Sequence, residues 1–157
     1  MDNVTAVSSR LLRAGVLTGI SDGLFSSILV TVFYGSTLVR LWQGVASTLL
    51  GRSAFEGGMP VALLGLLMHF CVAFTWSALF VFIVMRLGWV QRLVASPYGI
   101  IKVAALYGPF VWLVMSLVVI PIFVGHWPPT FTYRWWVQLI GHFPFVGLPI
   151  VASLTRD

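Results

Sequence analysis

An uncharged apolar stretch at residues 60–85 is the feature that most constrains the fold of this chain. Its 26 residues include no Asp, Glu, Lys or Arg, and one histidine, His69. A helix of that length rises about 1.5 Å per residue and reaches about 39 Å, which exceeds the ~30 Å hydrocarbon core of a bilayer. The stretch therefore predicts a transmembrane helix and an integral membrane protein.

The composition extends this prediction to the whole chain. Charged residues make up 8% of the 157 residues and apolar residues 59%, whereas about 25% of a soluble domain is charged. Such a chain has a single membrane domain and too few residues for a second, soluble one. We predict an all-α bundle of four transmembrane helices, whose bounds are about 12–34, 60–85, 101–124 and 135–154.

The segment between the first two predicted spans has a different pattern. Apolar residues follow helical spacing on one side, and polar residues and glycines lie on the other. The apolar side comprises Leu38, Leu41, Trp42, Val45 and Leu49, and the polar side includes Arg40 and Gln43. This pattern predicts an amphipathic interfacial helix over about residues 38–55, which the glycine pair at 57–58 separates from the second span.

The flanking positive charges predict the orientation in the membrane. One side carries Arg10, Arg13, Arg86, Arg92, Lys102 and Arg156, and the other side carries Arg40, Arg52 and Arg134. Because positive residues favour the cytoplasmic side, both termini are expected in the cytoplasm. Residues 126–129, His-Trp-Pro-Pro, are expected to form an exposed turn at the opposite interface.

Small residues recur every four positions in the first two spans. Gly15, Gly19 and Gly23 form one ridge, and Gly65 and Ala73 belong to a second stripe. Such ridges allow neighbouring helices to approach closely within a membrane. We therefore expect these five residues at helix–helix contacts.

Three ionisable residues inside the predicted spans are the candidate site. Counting residues from the span ends places Asp22, His69 and His142 within a few ångströms of one depth. Ionisable groups in hydrocarbon cost several kcal/mol unless they are paired or neutralised, so their presence suggests a function. Tyr107 and Gln138 are further polar residues in the spans.

Several roles remain open for these residues. They could form hydrogen bonds between helices, or serve as a pathway for protons or a small solute. Alternatively, His69 and His142 could ligate a haem b iron, or the trio could bind a divalent ion, although neither a CxxCH nor an HExxH motif is present. We predict no metal, and keep haem as an alternative.

Enzymatic and nucleic-acid functions have no support in the sequence. It contains no GxSxG motif, no Gly-rich phosphate loop and no paired acids within the spans. Cys71 is the single cysteine, which excludes an intrachain disulfide and a CxxC pair. Basic residues do not cluster with aromatic ones as in nucleic-acid-binding proteins.

Several segments taken in order resemble a family of small uncharacterised bacterial inner-membrane proteins with four helices. The segments that carry the resemblance are residues 19–22 (GISD), 45–51 (VASTLLG), 54–58 (AFEGG), 66–70 (LLMHF), 107–108 (YG), 115–121 (MSLVVIP) and 142–150 (HFPFVGLPI). The resemblance implies four spans, a helix in the first loop, and Asp22, His69 and His142 as residues of the family pattern. It also implies a location in the bacterial cytoplasmic membrane, and no known activity.

Three functions follow, in order of preference. The first is a non-enzymatic accessory or structural subunit, which would contact another membrane protein or a second copy of itself. The second is a small-solute or proton transporter that uses Asp22, His69 and His142. The third is an electron-transfer subunit that binds haem b through His69 and His142.

Overall fold

The computed structural model describes residues 2–125 and 130–155, and within those ranges it is helical and has no β-strand. In chain order the helices are α1 (Asp2–Ile28), α2 (Leu38–Leu50), α3 (Gly58–Phe82), α4 (Gly88–Val94), α5 (Gly99–Val114), α6 (Ile120–Val124), α7 (Tyr133–His142) and α8 (Leu148–Thr155). The turn expected at residues 126–129 and the charge of Arg156 lie outside the described residues.

Four helical segments are long and apolar enough to cross a membrane, in agreement with the sequence. They comprise Val7–Phe33, Gly58–Arg86, Gly99–Val124 and Tyr133–Thr155. α1 begins well before the predicted start of the first span, because its polar first turns continue the same helix. The short helix α4, which the sequence analysis did not predict, follows the second segment.

Widened, π-helical turns interrupt the third and fourth segments. Met115–Val119 joins α5 to α6, and Phe143–Gly147 joins α7 to α8. Proline lacks an N–H and its ring clashes with the carbonyl four residues earlier, which disfavours a normal α-helical turn at that point. Pro109, in contrast, lies within the α-helical turns of α5. Leu117 and Phe145, four residues before Pro121 and Pro149, both lie in these widened turns. The prolines thus reshape the helices without ending them.

The four long segments form a ring in chain order. α1 packs against α3 and α8, and α5 packs against α7 and α8. α3 and α5 meet through the rings of Phe80 and Tyr107, whose centroids lie 4.9 Å apart. This order fixes which side chains can share the interior, which the sequence left open.

One end of the ring, here called the packed end, is filled with apolar side chains. Its fully or nearly buried members include Ala14, Phe80, Val90, Val103, Ala104, Ile150 and Val151. Gly108 and Gly147 let the third and fourth segments touch backbone to backbone, against His142 and Ala104 respectively. The Nη2 of Arg13 donates to the carbonyl of Ser153 at 2.8 Å and ties α1 to α8.

The glycine ridge of α1 packs differently from the expectation. Gly15 and Gly19 lie under the rings of Phe74 and Phe70, so they receive aromatic side chains rather than a neighbouring backbone. The close backbone approach in the second span occurs instead at Gly65, which contacts the carbonyl of Trp42 in α2. Ala73 is buried on α3.

The helix expected between the first two spans is present as α2, and its location at the membrane interface stays a prediction. Gln43 and Ala46 are its buried residues, and the Nε2 of Gln43 donates to the carbonyl of Gly58 at 3.1 Å. Leu38 and Leu49, on the predicted apolar side, are 47% and 58% exposed, so at these positions that side faces away from the rest of the protein. Because Gly65 has no side chain, α2 can pack closely against α3. α2 also contacts α6 and the end of α1.

Candidate functional site

The other end of the ring, here called the cavity end, borders a half-open cavity of about 900 Å³. Its walls are stripes of residues spaced about one helical turn apart, and α2 covers part of it. The lining includes Thr18, Asp22 and Ser26 from α1, Trp42 and Val45 from α2, His69, Ala73 and Trp76 from α3, Trp112 from α5, and Gln138 and His142 from α7. All four long segments and α2 therefore contribute a polar or aromatic side chain to one space.

Asp22 and His69 form the central pair of the site. The Nδ1 of His69 lies 3.9 Å from the Oδ2 of Asp22, and their side chains are 13% and 16% exposed. The Nε2 of His69 lies 2.9 Å from the carbonyl oxygen of Gly19, which can only accept, so Nε2 donates. In a neutral imidazole Nδ1 is then an acceptor that faces the carboxyl group of Asp22.

His142 lies on the same cavity, on the fourth segment. Its Nδ1 donates to the carbonyl of Gln138 at 2.7 Å, and its ring centroid is 4.9 Å from that of Trp112. The side chain is 7% exposed and lies within electrostatic range of both Asp22 and His69. Because Nδ1 carries the proton, Nε2 of the neutral ring is an acceptor.

Several polar atoms of the cavity wall have no hydrogen-bond partner within the protein. They are Thr18 Oγ1, Asp22 Oδ1, Tyr34 OH and Trp112 Nε1, four of the six buried side-chain atoms in this state among the described residues. Buried polar atoms without partners are rare and costly in proteins. Their concentration around one cavity makes this cavity the candidate binding site.

Two arginines stand on the cavity wall toward α2 and the start of α7. The guanidinium of Arg134 lies 4.2 Å from the ring centroid of Tyr34, and that of Arg40 lies 5.2 Å from the ring centroid of Phe55. Burial and the neighbouring Tyr133 raise the pKa of the Tyr34 phenol, and Arg134 opposes this shift.

The predicted site residues fall into two groups. Asp22, His69, His142 and Gln138 line the one cavity. Tyr107 does not line it; its hydroxyl donates to the carbonyl of Trp76 at 2.7 Å and helps to join α3 to α5. The structure thus brings the trio together and gives Tyr107 a bond between helices.

The geometry also bears on the cofactor alternatives. Among the residues that the structure describes, no three His, Cys, Asp or Glu side chains are close enough together to hold a metal ion. To ligate haem iron through Nε2, His69 would have to break its bond to Gly19. The indole ring of Trp42 also lies beside the ring of His69, at a centroid distance of 5.2 Å, and takes up space that a haem ligated by His69 would need.

Sequence reasoning missed several wall residues, and some of them carried a signal. Thr18 and Ser26 lie four residues before and after Asp22, so the three form a polar stripe beside the glycine ridge. Trp42 was expected at the level of the lipid headgroups, yet its ring lies against His69 and Gly23. Nothing in the sequence distinguished Trp112 from the other tryptophans.

No known family model, curated protein or solved structure matches this chain. The cavity and its lining are consequently the observations from which its function is argued.

Proposed function

We propose that this chain is a multi-pass protein of the bacterial cytoplasmic membrane that binds a small solute in the cavity and carries it across the bilayer. Asp22, His69 and His142 are the polar side chains that would hold the solute. The single observation that carries the proposal is the cavity of about 900 Å³ with partnerless polar atoms on its wall.

Membrane insertion is supported by the outward surface. Large apolar side chains are exposed along the long helices, among them Leu17, Leu24, Leu63, Ile122 and Ile140. Exposing such a surface to water is unfavourable, whereas lipid tails are as apolar as the surface itself. With both termini in the cytoplasm, Arg40 and Arg134 stand near the outer membrane–water interface, where arginine side chains are well hydrated.

The volume of the cavity favours a small solute over a purely structural role. Pockets for small organic molecules commonly measure about 300–1,000 Å³, and they have mostly apolar walls with a few polar groups. A structural or accessory subunit, the first function expected from sequence, requires only helices packed as they are at the packed end. That packing needs no cavity lined by ionisable residues, so the lined cavity favours the transport function.

Filling the cavity tests this proposal. Ala73→Phe places a large ring at a buried position on the wall, and Leu63→Phe, on the exposed side of the same helix, is the matched control. The purified proteins are screened by thermal unfolding against a panel of small amphipathic solutes. Compounds that stabilise the unsubstituted protein are then assayed for uptake into proteoliposomes.

The two variants should behave differently. Leu63→Phe should retain both the stabilisation and the uptake, and Ala73→Phe should lose both, because the ring occupies the solute space. The proposal is overturned if no compound stabilises the unsubstituted protein, or if Ala73→Phe binds and transports as well as Leu63→Phe.

A further inference from the structure

We infer that the solute is a small organic cation, an ammonium compound with at least one N–H group, that binds at Asp22. This inference rests on the proposed function and specifies its substrate class. Three independent features of the cavity wall carry it: the direction of its hydrogen-bonding groups, its charge, and its aromatic rings.

The hydrogen-bonding groups around Asp22 are mainly acceptors. The ring N–H groups of His69 and His142 are both committed to backbone carbonyls, of Gly19 and Gln138 respectively. In its neutral form each ring offers a ligand one unprotonated nitrogen, and that of His69 faces the carboxyl group of Asp22 at 3.9 Å. An ammonium group supplies up to three N–H donors and so complements this set, whereas a carboxylate or phosphate supplies none.

Two of the four partnerless atoms on the cavity wall also favour a donor. Asp22 Oδ1 has no hydrogen-bond partner in the protein, and the hydroxyl of Thr18, one helical turn away, can accept as well as donate. A hydrogen bond between an ammonium group and a carboxylate is roughly twice as strong as one between neutral groups. A cationic donor would therefore supply a partner for Asp22 Oδ1, the atom whose lack of a hydrogen bond costs the most free energy.

The carboxyl group of Asp22 favours a positively charged solute. Asp22 is the one acidic side chain among the described residues that line the cavity. A carboxylate in a low-dielectric space is unfavourable unless a positive charge compensates it, which a monovalent cation would do. Arg40 and Arg134 also line the cavity, toward α2 and the start of α7, and the neutral rings of Phe55 and Tyr34 that they contact do not cancel their charge. The preference for a cation is therefore local to Asp22.

Aromatic faces complete the site. Trp42 lies beside His69 and Trp112 beside His142, so an indole stands next to each histidine around the space that Asp22 borders. Tryptophan is the aromatic residue that attracts cations most strongly, and this attraction increases in a desolvated site. The same rings provide an apolar wall for the organic part of the solute.

Three probes of similar size and different charge test the inference. They are 2-phenylethylammonium, 2-phenylethanol and 3-phenylpropionate, which present a cation, a neutral hydroxyl and an anion on the same phenyl and ethylene frame. Binding to the protein in lipid nanodiscs is measured by calorimetry, with empty nanodiscs subtracted. We expect the ammonium probe to bind about tenfold or more tighter than the alcohol, and the carboxylate to bind weakest.

Two variants locate the binding. Asp22→Asn removes the charge and should reduce the affinity for the ammonium probe about tenfold or more, while the alcohol binds unchanged. Glu56→Gln removes an exposed carboxylate that does not line the cavity, so it should leave all three affinities unchanged. If Asp22→Asn does not fold, the charge selectivity of the unsubstituted protein decides the question by itself.

The outcomes separate the two proposals. If the alcohol or the carboxylate binds as tightly as the ammonium probe and Ala73→Phe abolishes that binding, the cation inference is overturned and the solute function stands. An affinity for the ammonium probe that Asp22→Asn leaves intact also overturns the inference. If none of the three probes binds and the wider panel of solutes gives no ligand, both proposals fail.

Discussion

The packed end and the cavity end are built from the same four helical segments, yet they treat polar groups in opposite ways. At the packed end the hydroxyl of Tyr107 donates to the carbonyl of Trp76, and Arg13 donates to Ser153. At the cavity end Thr18, Asp22 and Trp112 keep buried polar atoms without a partner in the protein. The bundle can satisfy its buried polar groups, so the exceptions mark the place where a guest is expected.

The two ends also differ in how the helices approach. Gly108 and Gly147 bring the third and fourth segments into backbone contact, and little space remains around Ala104 and Ile150. At the cavity end bulky rings and α2 hold the segments apart, with Trp42, Trp76 and Trp112 on the walls. Close backbone contact is thus found at one end and the candidate binding site at the other.

The largest expected effect is at the backbone contact between the third and fourth segments. Gly108→Leu forces a side chain into the backbone of His142, which cannot move aside as a side chain could. We expect a loss of unfolding free energy of about 3 kcal/mol or more, measured by denaturation in mild detergent. Gly88→Leu is the control, since nothing lies within 4 Å of its added Cβ. Equal stability of the two variants would contradict the packing described for this contact.

A smaller effect is expected on the glycine ridge of α1. Gly19→Leu meets the ring of Phe70, which can rotate or shift, so the cost should be about 1–3 kcal/mol. Ile20→Leu is the neighbouring control, because Ile20 is exposed on the outer surface of the same helix. Denaturation curves that coincide for the two variants would show that α1 and α3 do not pack through this ridge.

The smallest effects compare one hydroxyl from each end. Tyr107→Phe removes the bond to Trp76 and should cost about 1 kcal/mol. Thr18→Val removes a hydroxyl that has no partner in the protein, so stability should change by less than about 0.5 kcal/mol or increase. Both are measured by denaturation without added solute. The contrast between the ends would fail if Thr18→Val were the more destabilising of the two.

Much of the fold could be predicted because length and hydropathy depend on local sequence. The uncharged run at residues 60–85 required a long apolar helix, and the structure has one over Gly58–Phe82. The buried side of α2 could not be predicted in this way. Gln43 is buried because the carbonyl of Gly58 accepts from it and because Gly65 admits the α2 backbone, and both contacts depend on tertiary structure.

The candidate site was predictable in part because its ionisable residues are also visible in the local sequence. Asp22, His69 and His142 stand out because ionisable residues are rare in apolar spans, and helical rise placed them at a common depth. Which residues face the same space depends on helix order and rotation, which no local pattern specifies. Tyr107 has as polar a side chain as Gln138, yet it lies in the contact between α3 and α5 rather than on the cavity wall.

The contact between α1 and α8 has a consequence for biosynthesis. A chain is synthesised from its N-terminus, so α1 is complete long before α8 has been made. Until α8 arrives, the groove on α1 that includes Ala14 lacks its partner, and the bond from Arg13 to Ser153 cannot form. The contact between α1 and α8 is therefore among the last to form. In a chain stalled before α8, the surface of α1 that packs against α8 would stay exposed to other molecules.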